Sequence, residues 1–484
     1  MITEDMRDSS FFIRIVKNFE IDHSDMNPMN YRNGLNLISI SSKIKLVNLN
    51  KFADTVNEKI SIKDKFKVFK TIDLRDIDKT IGEVTNIKEL LGYELSEQKT
   101  KLENNDIIFG KLRPYLNNIA IIQADDEKFI GSTEWVRIIP KSNPFYLLLA
   151  LRSNYVLSQT LTTKGSVRPR FKEKSIPNIK IPKLDDDLIK IIDNIMADIF
   201  IKRKRSNMII RNLIDFYDSL IKNFDINENL TLVTNKVETT RMDAEFYFYK
   251  KISRGLKNIG SQKLIDCINF SEDMIDSYFT YGDSINYITI SDVDTNLGEI
   301  VSWRDKVYSK NIDRSVKAPN RAKMLLKSND ILLPHLKGSL SSVAWVPEEM
   351  NNFIGTNGFS VIRYRNLEIP FLYIALRSKT IQIQLSLLAN GTVMEDLSND
   401  QIGGISIFIP DIEIKDKIIK NCQIALKERW LSRQSYHSIL KAFHEYCSVH
   451  ANKEIFMEQL NRINERLSET KLIKIPLIRF NSVK

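Results

Sequence analysis

The sequence has few of the features that mark secreted or membrane proteins. Its 484 residues include three cysteines, Cys267, Cys422 and Cys447, which are too few and too scattered for a disulfide framework. The opening stretch, MITEDMRDSS, lacks the basic and apolar segments of a secretory signal. The sequence also has no run of about 18 apolar residues, the length that could span a bilayer. We therefore expect a cytoplasmic protein without a membrane anchor.

Catalytic motifs are scarce as well. No GxxxxGK[ST] phosphate loop is present, so the chain alone is not expected to hydrolyse ATP. The NPFY stretch at Asn143–Tyr146 resembles a loop of amino-methyltransferases, but no glycine-rich cofactor loop precedes it, which favours a simple turn before a helix. His437, His444, Cys447 and His450 share about one helical face and could hold zinc. Ordinary packing is favoured because one helix rarely supplies every ligand. We expect no metal or cofactor in this chain.

What the sequence does contain is an internal repeat. NDIIFG at Asn105 returns as NDILLP at Asn329, 224 residues later. Other segments recur in the same order at nearly the same offset: Asp76 and Gly82 with Asp292 and Gly298, the IGS and IGT turns at Gly131 and Gly355, the ALRS segments Ala150–Ser153 and Ala375–Ser378, and the GSV and GTV loops that end in Ile-Pro, Gly165–Pro182 and Gly391–Pro410. This ordered recurrence predicts two copies of one domain.

The residue pattern of each copy indicates an α+β fold. Short β-branched runs alternate with turn residues. One helix is predicted to follow in each copy, at about Tyr146–Thr160 and Phe371–Leu387, with its start marked by Pro144 or Pro370.

A long amphipathic stretch follows each copy, at about Asp185–Phe224 and Glu413–Val449. Apolar residues recur there at steps of three and four, which predicts helices roughly 60 Å long. Antiparallel pairing of the two helices would bury both apolar stripes and give a pseudo-two-fold molecule. The basic cluster KRKRS, Lys202–Ser206, is predicted to face solvent, with contact to a nucleic-acid backbone as the alternative.

This arrangement resembles the specificity subunit of type I restriction–modification systems. The resemblance spans about Asn30 to Val449 and rests on the ordered pairs of motifs, not on any one of them. It implies that each copy is a target recognition domain that reads one half of a bipartite site on double-stranded DNA, while the helices fix the gap. The net charge of +10 suits a polyanionic ligand.

The resemblance also implies partners and domain limits. Two methyltransferase subunits would dock on the helices and carry S-adenosylmethionine, up to two motor–nuclease subunits would join them, and this chain would not be an enzyme. The predicted segments are a first target recognition domain at 1–184, a central helix at 185–226, a second target recognition domain at 227–411, a distal helix at 412–449 and a C-terminal helix–strand extension at 450–484.

The candidate DNA-binding residues lie in the loops where the two copies differ. Arginine can bind guanine with two hydrogen bonds, asparagine can bind adenine, and glutamate can accept a hydrogen bond from cytosine. The candidates are Lys111, Arg113, Tyr115, Arg168, Arg170 and Lys172 in the first copy, and His335, Lys337, Ser339, Asn390, Thr392 and Glu395 in the second.

Three other functions remain open from the sequence. The chain could be a specificity subunit of another phage-defence methyltransferase complex, or a protein-interaction scaffold with no role on DNA. A fused enzyme is the third, which the missing cofactor and nuclease motifs disfavour. The sequence names neither the target bases nor the gap length, and it assigns no role to residues 1–30 and 450–484.

The first testable prediction concerns Arg168. Because each copy would read its own half-site, Arg168→Ala should relax the choice of bases in one half only. Mapping methylated sites in the host genome measures this directly. An unchanged pattern, or loss of both halves together, would contradict the assignment.

Overall fold

A computed structural model describes residues 44–124, 128–160, 169–221, 244–274, 284–308, 320–389, 396–448 and 452–469. These residues form two compact units: one contains the described residues up to Phe200 and from Arg433 onward, and the other contains Ile201–Ser432. The division falls inside both long helices, so each of them contributes residues to each unit. The domain limits expected from the sequence stay a prediction. Within the described ranges, no helix is long and apolar enough to cross a membrane.

The first repeat is built mainly from two β-sheets. Its strands are β1 (Lys45–Asn48), β2 (Ala53–Val56), β3 (Lys59–Ser61), β4 (Val68–Ile72), β5 (Ile77–Asp78), β6 (Glu83–Val84), β7 (Lys88–Leu91), β8 (Gln98–Glu103), β9 (Ile107–Gly110), β10 (Ile119–Ile121), β11 (Lys128–Gly131), β12 (Trp135–Pro140) and β13 (Lys180–Lys183). One sheet has the order β2-β12-β9-β10-β6-β5 and the other β3-β8-β11-β4-β7, while β1 pairs with β13. Helices α1 (Pro144–Leu151) and α2 (Asn154–Thr160) follow β12, and the first long helix, α3 (Asp186–Ile221), follows β13.

The second repeat has a closely similar set of elements. After α4 (Ala244–Asn258) come β14 (Gln262–Lys263), α5 (Leu264–Cys267), β15 (Ile268–Phe270), β16 (Ser284–Ile288), β17 (Val293–Asp294), β18 (Glu299–Ile300), β19 (Arg304–Tyr308), β20 (Ala322–Leu325), β21 (Ile331–Pro334), β22 (Ala344–Trp345), β23 (Ile354–Thr356), β24 (Phe359–Tyr364), α6 (Ile369–Arg377), α7 (Lys379–Ala389), α8 (Asn399–Gly403) and β25 (Ser406–Ile407). The second long helix, α9 (Ile412–Cys447), and a further helix, α10 (Lys453–Glu469), complete the described chain.

Strand order and register confirm that the two copies share a backbone. The order β12-β9-β10 returns as β24-β21-β22, and β8-β11-β4-β7 returns as β20-β23-β16-β19. The parallel pair of the first copy places Ile130 beside Thr71, and that of the second places Ile354 beside Tyr287. These partners sit at the same offsets that the sequence repeat shows, so the predicted α+β fold is confirmed in both copies.

The NDI motifs mark the same turn in each copy. Asn105 and Asn329 both have a left-handed backbone with φ of +67°, a conformation that asparagine tolerates better than most residues. The following aspartates are buried and bind arginines of the neighbouring strand, with Arg137 Nε 2.6 Å from Asp106 and Arg363 Nε 2.9 Å from Asp330. Burial raises the pKa of both carboxyl groups, and each arginine opposes that rise. The repeated NDI motif therefore marks the same turn in both copies, with a buried ion pair at the aspartate.

The single helix predicted after each sheet is instead two helices. Serine causes the break, because its side chain and carbonyl cap a new helix. Ser153 Oγ accepts a hydrogen bond from the Val156 amide, and Ser378 Oγ accepts one from the Ile381 amide. The apolar spacing runs through the break, which is why the sequence pattern did not reveal it.

An arginine next to each break holds a distant turn. Arg152 is 2% exposed and donates through Nη2 to the Lys79 carbonyl at 2.6 Å and through Nη1 to the Ile119 carbonyl. Gly82, beside that turn, has φ of +80°, and a Cβ there would lie 2.8 Å from the Ile119 oxygen. Only glycine therefore allows the arginine and the turn to approach this closely.

The second copy repeats this contact. Arg377 donates to the carbonyls of Thr295, Asn296 and Leu297. Gly298 has φ of +62°, and a Cβ there would meet the Arg377 side chain and lie 2.7 Å from the Val343 oxygen. The matched glycines of the sequence thus have one physical cause, which is contact with the arginine of the ALRS segment.

Both long helices are present, and their contacts within the second unit are antiparallel. Arg203 Nη1 donates to the Arg429 carbonyl at 3.1 Å, and Ser206 Oγ lies 3.0 Å from the Glu428 carboxylate. The prediction that KRKRS faces solvent is wrong for part of the cluster, since Lys202, Arg203 and Ser206 are buried. Arg203 can be buried because the Glu299 carboxylate, 2.9 Å from its Nη2, compensates for the hydration that the guanidinium loses.

The first unit has a similar buried arginine and an added helix. Arg433 of α9 forms an ion pair with Asp78 and donates to Thr80 Oγ1 at 2.6 Å. Helix α10 packs its apolar side into the same core, and Phe456 stacks on Tyr446 with ring centroids 4.4 Å apart. The predicted C-terminal helix is therefore confirmed, whereas the strand-like KLIKIPLIRF segment lies outside the described residues.

The second prediction tests the glycine contact. Gly298→Ala should destabilise the protein by at least about 2 kcal/mol, because a left-handed alanine is strained and its Cβ meets both a carbonyl and Arg377. Urea unfolding of the full chain measures the loss. Gly338→Ala is the matched control, since nothing lies within 4 Å of the added Cβ. Equal unfolding midpoints for the two variants would contradict the contact.

Candidate nucleic-acid interface

The two candidate loops of the first copy lie side by side. Leu112 and Arg170 form an antiparallel bridge. The Arg113 amide donates to the Pro169 carbonyl at 2.8 Å, and the Phe171 amide donates to the Lys111 carbonyl at 3.0 Å. The structure therefore places the candidates on two backbone segments joined by hydrogen bonds, or strips: Lys111, Arg113 and Tyr115 on one, and Arg170 and Lys172 on the other.

Their side chains differ in how far they are available to a ligand. Arg113 and Lys172 are exposed, and Tyr115 is 49% exposed. Lys111 Nζ lies 3.0 Å from Glu173, and Arg170 Nη2 lies 2.7 Å from Glu134. Arg113 has a left-handed backbone with φ of +48° and precedes the short 3-10 turn Pro114–Leu116. Because carboxylates hold two of the four cations, Lys111 and Arg170, the other two, Arg113 and Lys172, are the ones most open to an anion.

Glu173 links the loop to the neighbouring sheet. Its carboxylate accepts from Asn57 Nδ2 at 2.6 Å as well as from Lys111. Partial burial opposes ionisation, but the hydrogen bonds from Asn57 and Lys111 prevail and lower the pKa of Glu173. The loop is thus charged and oriented before any ligand arrives.

The second copy places its loops in the same way. Leu336 forms an antiparallel bridge with Asp396, and the Leu397 amide donates to the His335 carbonyl at 3.2 Å. His335 Nδ1 lies 3.3 Å from Asp396. Ser339 Oγ donates to the Leu336 carbonyl at 3.0 Å, and the side chain of Leu336 is 39% exposed. The backbone pairing is kept while the residues on it change.

Four of the twelve candidates are not placed by the structure. Arg168 of the first copy and Asn390, Thr392 and Glu395 of the second lie outside the described residues. Their assignment stays a prediction from the sequence alone. Lys337, the remaining candidate, is half-buried on the short turn after Leu336.

One basic residue that sequence reasoning missed lies next to these loops. Lys79 is exposed on the turn between β5 and β6, and its carbonyl is bound by Arg152. Arg152 also binds the Asn117 carbonyl at 3.3 Å, at the end of the turn that Arg113 begins. A signal was available, since Lys79 falls in the repeated segment that contains Gly82, where the second copy has Thr295.

The His and Cys residues considered as zinc ligands make other contacts. His444 Nε2 accepts from the Asn154 amide at 3.1 Å, and Cys447 is buried in the apolar core of its unit. His450 lies outside the described residues. Among the residues that the structure places, no group of three His, Cys, Asp or Glu side chains could hold a metal ion.

Comparisons with known proteins were made at the levels of sequence and structure. No protein-family model matches the chain, and no curated protein matches it. Several solved structures do. The HsdS subunit from Thermoanaerobacter tengcongensis is 16% identical, with 89% of this chain and 97% of that chain covered and a TM-score of 0.29. The S subunit of a type I restriction–modification system from M. genitalium is 13% identical, with 87% and 97% covered and a TM-score of 0.34.

These neighbours are type I specificity subunits. A chain from a study of complex assembly and conformational transition in a type I R-M system is also similar, at 16% identity, 89% and 98% coverage and a TM-score of 0.29. TM-scores of this size do not establish a common fold.

The third prediction concerns Phe171, which anchors the second strip of the first loop pair. Phe171 is 6% exposed and packs on Phe109 with ring centroids 6.1 Å apart. Phe171→Ala should cost about 3–5 kcal/mol and speed amide exchange at Arg113, which donates to the same strip. Hydrogen exchange and urea unfolding measure the two effects. Tyr93→Ala is the control, because that ring is 62% exposed, and equal losses in both variants would disprove the anchor.

Proposed function

We propose that this chain is the DNA-specificity subunit of a restriction–modification complex, in which each repeat reads one half of a bipartite site. The observation that carries the proposal is the pairing of the loops. Both copies keep the same backbone bridge, Leu112 with Arg170 and Leu336 with Asp396, yet the charges on the bridge differ. A shared frame with different exposed side chains suits two readers of different base sequences.

Each loop pair offers the chemistry that duplex DNA requires. In the first copy, Arg113 and Lys172 are available for phosphate or guanine, and Tyr115 presents an exposed ring. In the second copy, His335 and Lys337 supply donors from one strip. Asn390 and Glu395 would add contacts to adenine and cytosine. Two half-sites then need readers held at a fixed spacing, which is the role proposed for the long helices.

The remaining parts of the complex are proposed from the resemblance to type I specificity subunits. The chain would leave methyl transfer to two methyltransferase subunits that dock on the helices and carry S-adenosylmethionine, and DNA cleavage to motor–nuclease subunits. A reducing cytoplasm suits its three cysteines, all of which are buried and unpaired. A specificity subunit of another phage-defence complex would use the same two readers, and gene neighbourhood separates these two cases.

The fourth prediction tests the bipartite reading without any partner protein. The full chain should select, from a library of random duplexes, a split motif with a fixed number of unread bases between its halves. Arg170→Ala should relax base choice in one half and His335→Ala in the other, because each residue belongs to one copy. Sequencing of the bound pool measures both. A single continuous motif, or blurring of both halves by either variant, would exclude the proposal, and absence of DNA binding would favour the scaffold.

A further inference from the structure

Two basic side chains of the first copy are held on adjacent turns by one buried arginine. Arg152 binds the backbone carbonyl of Lys79 on one turn and those of Asn117 and Ile119 at the end of the other, which begins at Arg113. Asn117 Nδ2 returns a hydrogen bond to the Arg152 carbonyl at 3.1 Å. On the two turns, these contacts use only backbone carbonyls and the Asn117 amide. The side chains of Lys79 and Arg113 take no part in them and are left for a ligand.

These cations have no carboxylate partner in the described part of the chain. None of the ion pairs found there involves Lys79, Arg113 or Arg152. The nearest acid in sequence, Asp78, is buried and bound by Arg433. Two like charges held together without an acid repel each other, and an anion would relieve that repulsion.

The titration of Lys79 agrees with this geometry. Crowding by protein atoms lowers the pKa of Lys79, and the positive charge of Arg113 lowers it further. A bound anion would act in the opposite direction, because it stabilises the charged ammonium.

We propose that Lys79 and Arg113 together bind one phosphate group of the DNA backbone. A phosphate oxygen can accept from an ammonium while a second oxygen accepts from a guanidinium. Such a contact would position the first copy on the duplex without reading any base. This site rests on the proposed function. It adds Lys79 to the candidate DNA-binding residues, which were taken only from the loops that differ between the copies.

The second copy lacks one of the two cations. Arg377 binds the Thr295 carbonyl as Arg152 binds that of Lys79, so Thr295 stands at the equivalent place. Thr295 Oγ1 lies 2.6 Å from Ser342 Oγ and carries no charge. Lys337 stands where the first copy has Arg113. The two halves of the molecule should therefore differ by one strong phosphate contact.

The experiment compares full-length wild type with Lys79→Thr, Lys79→Arg, Thr295→Lys and, as a charge-matched control, Lys51→Thr, an exposed lysine with no part in the site. Affinity for one duplex is measured between 50 and 200 mM KCl. Each phosphate contact contributes about 0.9 to the slope with which log affinity falls against log salt concentration. Lys79→Thr should lose one such contribution, so that between 50 and 200 mM KCl its affinity falls roughly threefold less than that of wild type. Lys79→Arg should retain the slope and Thr295→Lys should steepen it. The Thr variant keeps the backbone carbonyl that Arg152 binds, so folding should be unaffected.

Each outcome decides the question. If wild type binds with a salt dependence that Lys79→Thr does not change, or that Lys51→Thr changes equally, the phosphate site is wrong and the proposed function stands. If wild type shows no salt-dependent binding to DNA, the proposed function fails.

Inorganic phosphate then tests the site alone: a rise in thermal stability of wild type but not of Lys79→Thr supports a site for free phosphate, and no rise in either overturns it.

Discussion

The contact on which each repeat depends is an arginine bound to backbone carbonyls, buried in the first copy and half-buried in the second. Arg152 and Arg377 each stand at the end of a core helix and bind a turn that lies far away in sequence. Several carbonyls share the charge of one guanidinium, which satisfies its donors without a carboxylate. The turn must come close for this to happen, so Gly82 and Gly298 cannot carry a side chain. The helix, the sheet edge and the loops beyond them are positioned by this one contact.

The long helices add a second constraint of the same kind. Arg203 follows the first repeat in sequence but pairs with Glu299 of the second, and Arg433 follows the second repeat but pairs with Asp78 of the first. Buried ion pairs of this type contribute little net stability, because removing both charges from water offsets their attraction. Their value lies in specificity, since a helix that slipped by one turn would leave a buried charge unpaired. Each pair therefore fixes the register of a helix against the unit that it contacts.

The sequence predicted the repeat, both long helices and the position of the loops, because these depend on local patterns that recur in order. It did not predict the contact between Gly82 and Arg152, since neither residue shows in sequence which distant atom it faces. Part of the KRKRS cluster was wrongly assigned to solvent for the same reason: Glu299, the partner of Arg203, lies in another repeat. Lys79 was missed because only the loops that differ most between the copies were considered, and its link to the turn of Arg113, through Arg152, appears only in the structure.

The loop pairs show how one frame can serve two different targets. The two backbone segments of each pair are joined by backbone hydrogen bonds, so their exposed side chains can diverge while the pairing is kept. The first copy also orients its reader in advance. Glu134 binds Arg170 through Nε and Nη2, while the side chain remains 53% exposed, so Nη1 stays available to a ligand. A guanidinium held in this way loses little rotamer entropy on binding, because Glu134 has already fixed it. Replacing such an arginine changes what is read without changing the fold that presents it.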